Sequence, residues 1–267
     1  MAYQWTLYEK KGRIAYITMN RPEVLNAVHP PQNKEMEGIW DDFNNDPEVW
    51  IAILSGAGDR AFCAGSDIKY MAAHPESRIP PRPQEGGMVH KWIAKPIIAA
   101  VKGYCVGGGL EIALGCDIII AGENAQFGLP EIKNTGSYPG DGGPLRLPRQ
   151  IPLKIAMELL YTGDFIPAKR AYELGLVNRV VPVANVMEEA ENMAERILNN
   201  CPPTVKLVKE LVMKSLDRPL EHPYEHPKIA WDLYAEMSPR LRGSEDYKSG
   251  EGPRAFTEKR RPRWTGR

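Results

Sequence analysis

The chain has 267 residues, and its 34 Lys and Arg residues balance 34 Asp and Glu residues, so its formal net charge at pH 7 is zero. A zero net charge excludes a global electrostatic attraction to nucleic acid or to anionic lipid. Hydrophobic residues make up 43 % and charged residues 25 %, which is typical of globular proteins and argues against wholesale disorder. The length predicts one large α/β domain, or one domain with a smaller appendage.

The cysteines and the apolar segments indicate in which cellular compartment the protein is expected. Four cysteines are widely spaced, at positions 63, 105, 116 and 201, with no C-x-x-C pair. This spacing favours reduced thiols in a cytosol over a metal or disulfide framework. The N-terminal residues lack a secretory pattern, and the most apolar stretch, 96–121, is interrupted by three charged residues. We therefore expect a cytoplasmic protein without a membrane partner.

The first half of the chain predicts strands alternating with helices. Two β-rich runs, 5–8 and 13–18, meet at Lys11-Gly12 and predict a hairpin. Apolar spacing predicts a helix over 32–43 and another over 110–115. Short buried strands are predicted at the apolar runs 50–54, 97–101 and 117–121. The alternation predicts βαβ units in a largely parallel sheet.

The rest of the chain predicts one long loop and a helical C-terminal third. Segment 74–87 contains four prolines and two glycines, and loops of this length are usually functional. After Pro152, apolar residues recur with helical period over 153–162, 167–174, 186–199 and 204–216.

Three motifs suggest other activities and are rejected. The G-x-G-x-x-A pattern at 56–61 needs a helix after it to bind a pyrophosphate, but the sequence there does not continue as a helix, so a turn is predicted. The H-x-x-E-H order at 222–226 contains a proline that misaligns the two imidazoles, which favours solvated loop histidines over a zinc site. Ser66 lies in A-G-S-D rather than G-x-S-x-G, which gives little support to an acyl-enzyme hydrolase.

Two glutamates near glycine-rich turns are the candidate catalytic residues. The glycines at 107–109 precede an apolar helix, where free N–H groups can stabilise negative charge on a carbonyl oxygen. Glu111 falls in the first turn of that helix, and Glu131 follows Pro130 at another predicted helix start. Either glutamate could simply complement a helix dipole, or the two could act as a general acid and base.

Taken together, these segments resemble the crotonase superfamily, the enoyl-CoA hydratase/isomerase family, over nearly the whole chain. The motifs that carry the resemblance are NRPEVLNA (20–27), AFCAGSDIK (61–69), KPIIAAV (95–101), GGGLE (107–111), FGLPE (127–131), YPGDGG (138–143), AYELGLVN (171–178) and AFTEKR (255–260).

The resemblance implies a fold and an assembly. The implied fold is an α/β crotonase (ClpP-like) fold, in which repeated ββα units form a spiral core over 1–200. A C-terminal helical region over 201–267 would mediate trimerisation, giving a trimer or a dimer of trimers. No nucleic-acid partner, metal or separate cofactor is expected, because coenzyme A is part of the substrate.

The resemblance also implies a site. The backbone N–H groups of Ser66 and Gly108 would hold the thioester oxygen of an acyl-CoA. Glu111 would help to activate a water molecule, and Glu131 would deliver a proton to Cα and take part in water activation. The implied coenzyme A contacts are Ala64, Gly65, Ser66, Asp67, Ile68, Lys69, Gly108 and Gly140, with Phe256 and Lys259 supplied by a neighbouring subunit.

The implied function is an enoyl-CoA hydratase, because family isomerases usually keep only the position of Glu131. A crotonobetainyl-CoA hydratase or an enoyl-CoA isomerase stays open, as does a non-catalytic acyl-CoA- or RNA-binding paralogue. Two residues depart from the commoner family pattern. Ser66 stands where Ala or Gly is commoner, and Asp141 replaces Ala in the 140–145 stretch. With the loop at 75–88, the second departure is expected to set acyl specificity.

Overall fold

A computed structural model describes residues 3–78, 85–216 and 230–267. Its strands are β1 (Thr6–Lys11), β2 (Ile14–Met19), β3 (Ile51–Gly56), β4 (Ala61–Cys63), β5 (Ile97–Val101), β6 (Tyr104–Val106), β7 (Ile118–Gly122), β8 (Gln126–Gly128), β9 (Ile166–Pro167) and β10 (Arg179–Val181). Its helices are α1 (Pro30–Asn45), α2 (Ile68–Ala73), α3 (Gly108–Leu114), α4 (Glu131–Asn134), α5 (Gly143–Gln150), α6 (Leu153–Thr162), α7 (Ala168–Glu173), α8 (Val186–Leu198), α9 (Pro202–Ser215), α10 (Ala230–Gly243), α11 (Glu245–Lys248) and α12 (Glu251–Thr257).

The larger sheet has six strands in the order β1-β2-β3-β5-β7-β10. The β1–β2 hairpin is antiparallel, and every other pair in this sheet is parallel. Apolar residues of β3, β5 and β7 are buried on both faces, as is typical of parallel strands covered by helices. On one face α1 packs Met36, Trp40 and Phe43 into the main core, and on the other Ala190 and Ala194 of α8 pack against the sheet.

The smaller sheet, in the order β4-β6-β8-β9, positions the candidate site. Strands β4, β6 and β8 are parallel, so their carboxyl ends lie at one edge. Those ends are Cys63, Val106 and Gly128. The segments that follow them, 64–67, 107–111 and 129–131, are the glycine- and glutamate-bearing motifs of the sequence. Residues far apart in the chain therefore meet at one edge of a sheet.

The two mixed sheets and the C-terminal helices agree with the fold that the resemblance implies. The hairpin, the helix over 32–43 and the three buried strands are present, with ends that differ by up to three residues. The predicted helix over 110–115 begins earlier, at Gly108. The connection between β3 and β4 contains no helix, so the turn predicted at 56–61 is confirmed. The histidine motif at 222–226 lies outside the described residues.

The 74–87 segment, predicted as a loop, contains two short helical turns among its described residues. It contains 3-10 turns at Pro75–Arg78 and Glu85–Gly87, while positions 79–84 lie outside the described residues. Glu85, Gly86 and Gly87 are all buried. The second turn therefore belongs to the interior, where it packs between α1 and α3.

The C-terminal residues pack back on the core. The Trp264 indole N–H donates to the Asn199 carbonyl at 3.1 Å, and the backbone N–H of Thr265 donates to Asp246 at 2.7 Å. Lys209 of α9 forms an ion pair with Asp117 at 2.8 Å. Within the described ranges, no helix is long and apolar enough to cross a membrane. The domain division at residue 200 stays a prediction.

Candidate active site

The first helical turn of α3 is packed against the loop after β4. Gly107 precedes the helix with φ +57°, and Gly65 has φ +88°. A Cβ on Gly65 would lie 3.0 Å from the Gly108 nitrogen, and one on Gly109 would overlap the Cys63 carbonyl. Glycine is required here because the two backbone segments touch directly.

This packing brings the two predicted oxyanion donors to one place. Gly108 is the first residue of α3, and a first-turn N–H has no acceptor inside its own helix. Ser66 follows Gly65, and the backbone around it is fixed by a bridge to Val28. Across residues 3–78, 85–216 and 230–267, neither the Ser66 N–H nor the Gly108 N–H donates to an acceptor. Two free donors at a buried turn are suited to bind an oxyanion.

Glu111 is held in this turn by backbone groups of a distant segment. Its side chain is only 2 % exposed, and Oε1 accepts hydrogen bonds from the backbone N–H groups of Asp141 at 2.8 Å and Gly143 at 2.7 Å. Burial raises the pKa of Glu111 to about 7, helped by the charges of Asp141 and Glu131 and opposed by the two N–H donors. Both protonation states are therefore accessible near neutral pH.

Glu131 is the first residue of α4 and faces the same glycine turn. Its Oε1 lies 3.2 Å from the position that a Cβ on Gly107 would occupy. Burial raises its pKa, and the charge of Asp141 raises it further. Its Oε2 is buried without a hydrogen-bond partner among the described residues. That oxygen is therefore available to form a hydrogen bond with a bound substrate or water molecule.

The structure also places a carboxylate that the sequence reasoning missed. Glu85, in the 3-10 turn after the undescribed positions, is 3 % exposed. Its Oε1 accepts a hydrogen bond from Ser66 Oγ at 2.5 Å. Its carboxyl carbon lies 3.1 Å from the Cβ position of Gly108. No local pattern indicates this contact, because Glu85 falls inside a proline-rich segment predicted as a loop.

The remaining predicted contacts differ in exposure. Ala64, Gly65 and Asp67 lie on the same loop as Ser66, and Asp67 caps α2 by accepting from the Tyr70 N–H at 3.0 Å. Three further predicted contacts are exposed: Ile68, Lys69 and Gly140. Phe256 is 86 % exposed on α12, and Lys259 follows that helix with φ +52°. Their predicted role needs a second subunit, and it stays a prediction.

The described residues contain no group of three or more histidine, cysteine and acidic side chains arranged to hold a metal ion. The buried thiols Cys63 and Cys105 and the partly buried thiol Cys116 have pKa values raised by desolvation, so they are not activated nucleophiles.

The enoyl-CoA hydratase/isomerase family model matches residues 9–267. The chain belongs to this family. Among solved structures, an enoyl-CoA hydratase from Mycobacterium tuberculosis superposes with a TM-score of 0.88 at 39 % identity, covering 98 % of this chain and 99 % of that one. The crotonase fold expected from the sequence is therefore matched over the full length.

Relatives with different named substrates are about equally similar to this family member. A protein named "Probable enoyl-CoA hydratase, mitochondrial" from Dictyostelium discoideum is 42 % identical over 96 % of this chain and 89 % of its own. An (E)-benzylidenesuccinyl-CoA hydratase from Thauera aromatica is 39 % identical, covering 97 % and 98 %. A carnitinyl-CoA dehydratase from Escherichia coli K12 is 38 % identical, covering 97 % of each chain. Identity alone does not select the acyl group.

Proposed function

We propose that the protein is an enoyl-CoA hydratase, which adds water reversibly to a 2-enoyl-CoA to give a 3-hydroxyacyl-CoA. One observation carries the proposal: the buried carboxyl group of Glu111 and the partly buried one of Glu131, both with raised pKa values, lie beside a turn that presents two free N–H donors. An isomerase needs one group to move a proton, whereas adding water requires both activation of the water and protonation of carbon.

The proposed reaction develops negative charge on the thioester oxygen. As the water oxygen bonds to Cβ, electrons move through Cα towards that oxygen, which becomes enolate-like. The Ser66 and Gly108 N–H groups would favour this charge over the ground state. Losing one such donor in related chemistry costs about 3 to 4 kcal/mol.

The two glutamates would transfer the protons that the addition of water requires. The water gives up one proton to the carboxylate pair as its oxygen attacks Cβ. The protonated Glu131 gives its proton to Cα and is reprotonated by the proton from the water. Burial raises the pKa of Glu131 and so favours its protonated form, and ionised Glu111, oriented by the Asp141 and Gly143 N–H groups, would hold the water.

The acyl group of the substrate is the next feature to assign, and Asp141 is the residue that bears on it. Asp141 is buried and its backbone N–H contacts Glu111, so its side chain lies near the proposed reaction centre. Together with the similarity to a carnitinyl-CoA dehydratase, this keeps crotonobetainyl-CoA as a second candidate substrate. A panel of linear, branched, aromatic and trimethylammonium acyl-CoA thioesters, compared by kcat/KM, identifies the preferred class.

Coenzyme A binding and assembly complete the proposal. The loop of Ala64 to Ile68 would bind the adenine and pantetheine, and the exposed Lys69 would contact the phosphates. Phe256 and Lys259 would come from a neighbouring subunit of a trimer or a dimer of trimers, which sedimentation analysis tests.

We propose a cytoplasmic location for the protein, which cell fractionation tests against an organelle.

The experiment that tests the function follows the loss of enoyl-thioester absorbance with crotonyl-CoA. The wild type is compared with Glu111→Gln, Glu131→Gln and a control, Glu188→Gln, whose side chain is exposed on α8. We expect turnover by the wild type and the control, and a drop of about 100-fold or more in both active-site variants. Full activity in either active-site variant would contradict the proposed roles.

A further inference from the structure

We infer that Glu85 is a positioning residue that fixes the two oxyanion donors, Ser66 and Gly108, relative to each other. The inference rests on the proposed function, since it assigns a task within the same site. It depends on the geometry of one buried carboxyl group that touches both donor residues.

The backbone of Glu85 is held by the scaffold. The next residue, Gly86, donates its N–H to Asn33 Oδ1 at 3.0 Å and accepts from the Trp40 indole N–H at 2.8 Å. Both partners are buried on α1. Gly87 has φ +66°, and a Cβ there would overlap the backbone of α1. The turn is therefore fastened to α1, and Glu85 projects from a rigid position.

The carboxyl group of Glu85 spans the distance between the donors. Oε1 accepts from Ser66 Oγ at 2.5 Å, while Cδ and Oε2 each lie 3.1 Å from the Cβ position of Gly108. Ser66 lies on the loop after β4, and Gly108 begins α3. One side chain from a third segment thus contacts both sides of the proposed oxyanion hole.

Such a contact matters because the two N–H groups must reach a single oxygen. Donors have to lie about 2.7 to 3.1 Å from the position of the developing oxyanion. A misplacement of about 1 Å can reduce the rate about 100-fold. The loop with Ser66 is attached to the segment before α1 through Val28. The Glu85 hydrogen bond attaches it in addition to the turn whose carboxyl group lies against Gly108.

This role explains why a serine stands at position 66. Backbone N–H donation alone could be performed by alanine or glycine. The hydroxyl adds the group that the Glu85 carboxyl binds, so Ser66 and Glu85 form a functional pair. A glutamine at position 85 keeps the acceptor oxygen and the volume, whereas an alanine loses both.

The test measures kcat and KM with crotonyl-CoA for Glu85→Ala, Ser66→Ala, their double variant and Glu85→Gln. Glu76→Ala is the matched control, because Glu76 is an exposed carboxylate on the same connection. We expect kcat to fall about 10- to 100-fold in each alanine variant with little change in KM. The double variant should be no slower than the slower single variant, because the two residues act as one unit. Glu85→Gln should stay within about threefold of the wild type.

Three outcomes would overturn the inference. If Ser66→Ala and Glu85→Ala keep the wild-type kcat while Glu111→Gln is inactive, the hydratase proposal stands and Glu85 has no positioning role. If the double variant loses the product of the two single effects, or Glu85→Gln is as slow as Glu85→Ala, the carboxylate acts in another way. A folded wild type that hydrates no enoyl-CoA removes both proposals. Ser66→Ala deletes a single oxygen, so the test does not depend on the folding of Glu85→Ala.

Discussion

Glu111 Oε1 accepts a hydrogen bond from the backbone N–H of Gly143 at 2.7 Å, although 32 residues separate them. Gly143 is the first residue of α5, so the first-turn N–H of one helix orients a carboxyl group in the first turn of another. A Cβ on Gly143 would lie 3.2 Å from that same Oε1. The carboxyl group is therefore oriented by the backbone, and a Cβ at position 143 would crowd both this oxygen and Pro139.

The pH dependence of activity should report Glu111. Burial, then the charges of Asp141 and Glu131, raise its pKa to about 7. Because the ionised form holds the water, kcat/KM should fall as the pH drops below about 7. Asp141→Asn removes a negative charge that raises the pKa, so the acid limb should move to lower pH.

Asp232→Asn is the control for that measurement, since Asp232 is an exposed carboxylate on α10, outside the segments that form the candidate site. Its pH profile should match the wild type. An acid limb that stays in place, or moves to higher pH, in Asp141→Asn would refute the electrostatic origin assigned to the shift.

Ionisation of Glu111 should support activity but lower the free energy of unfolding. The pKa of Glu111 is higher in the folded protein than its ordinary value of 4.5, so the folded state binds the proton more tightly. The contribution is fully present below about pH 4.5 and is lost as the pH rises through about 7. Glu111→Gln should therefore raise the free energy of unfolding by about 1 to 3 kcal/mol at pH 8.

Urea unfolding at pH 8 and at pH 4 checks this sign. At the lower pH both side chains are neutral, and the two proteins should be nearly equal in stability. A variant that is less stable than the wild type at pH 8 would show that Glu111 is not destabilised by its burial.

Local sequence signals predicted much of the fold and less of the site. The hairpin was predictable because Lys11-Gly12 separates two β-rich runs, and α1 because its apolar residues recur at helical spacing. The start of α3 was placed two residues late, since Gly108 and Gly109 have low helix propensity. Strands β4, β6 and β8 have only three residues each, too few for periodicity to register. They nevertheless form the edge that brings the site together.

Long-range contacts explain what the sequence could not predict. Glu111 and Glu131 were found through their positions at predicted helix starts and through the family resemblance. Glu85 had neither signal, because its hydrogen bond to Ser66 depends on the fastening of Gly86 to Asn33 and Trp40. Such contacts are set by the tertiary fold and leave no local pattern.

Two glycines provide a matched test of backbone packing. A Cβ on Gly109 would overlap the Cys63 carbonyl, whereas one on Gly38, in the exposed middle of α1, meets nothing within 4 Å. Gly109→Ala should destabilise the protein by about 2 to 4 kcal/mol. Gly38→Ala should stabilise it by about 0.5 to 1 kcal/mol. Thermal unfolding of both variants measures these changes in stability. If Gly109→Ala leaves the stability unchanged, the loop after β4 and α3 are not in close contact.

Lys69 should affect substrate binding more than turnover. Its exposed ammonium group on α2 is proposed to contact the phosphates of coenzyme A. Lys69→Ala should raise KM about 3- to 10-fold and leave kcat nearly unchanged, because a remote phosphate contact is made equally in the ground and transition states. Lys154→Ala, which removes an exposed cation on α6, should have no effect on KM. Equal KM values for the wild type and Lys69→Ala would remove this residue from the binding site.

The central claim is that Glu111 and Glu131 together add water across the double bond. Its most direct test is the mass spectrum of the product formed from crotonyl-CoA in water enriched in the heavy oxygen isotope. We expect the wild type to form a 3-hydroxyacyl-CoA with one labelled oxygen, and Glu111→Gln and Glu131→Gln to form almost none. An unlabelled product with a shifted double bond, or label incorporation that survives loss of either glutamate, would contradict it.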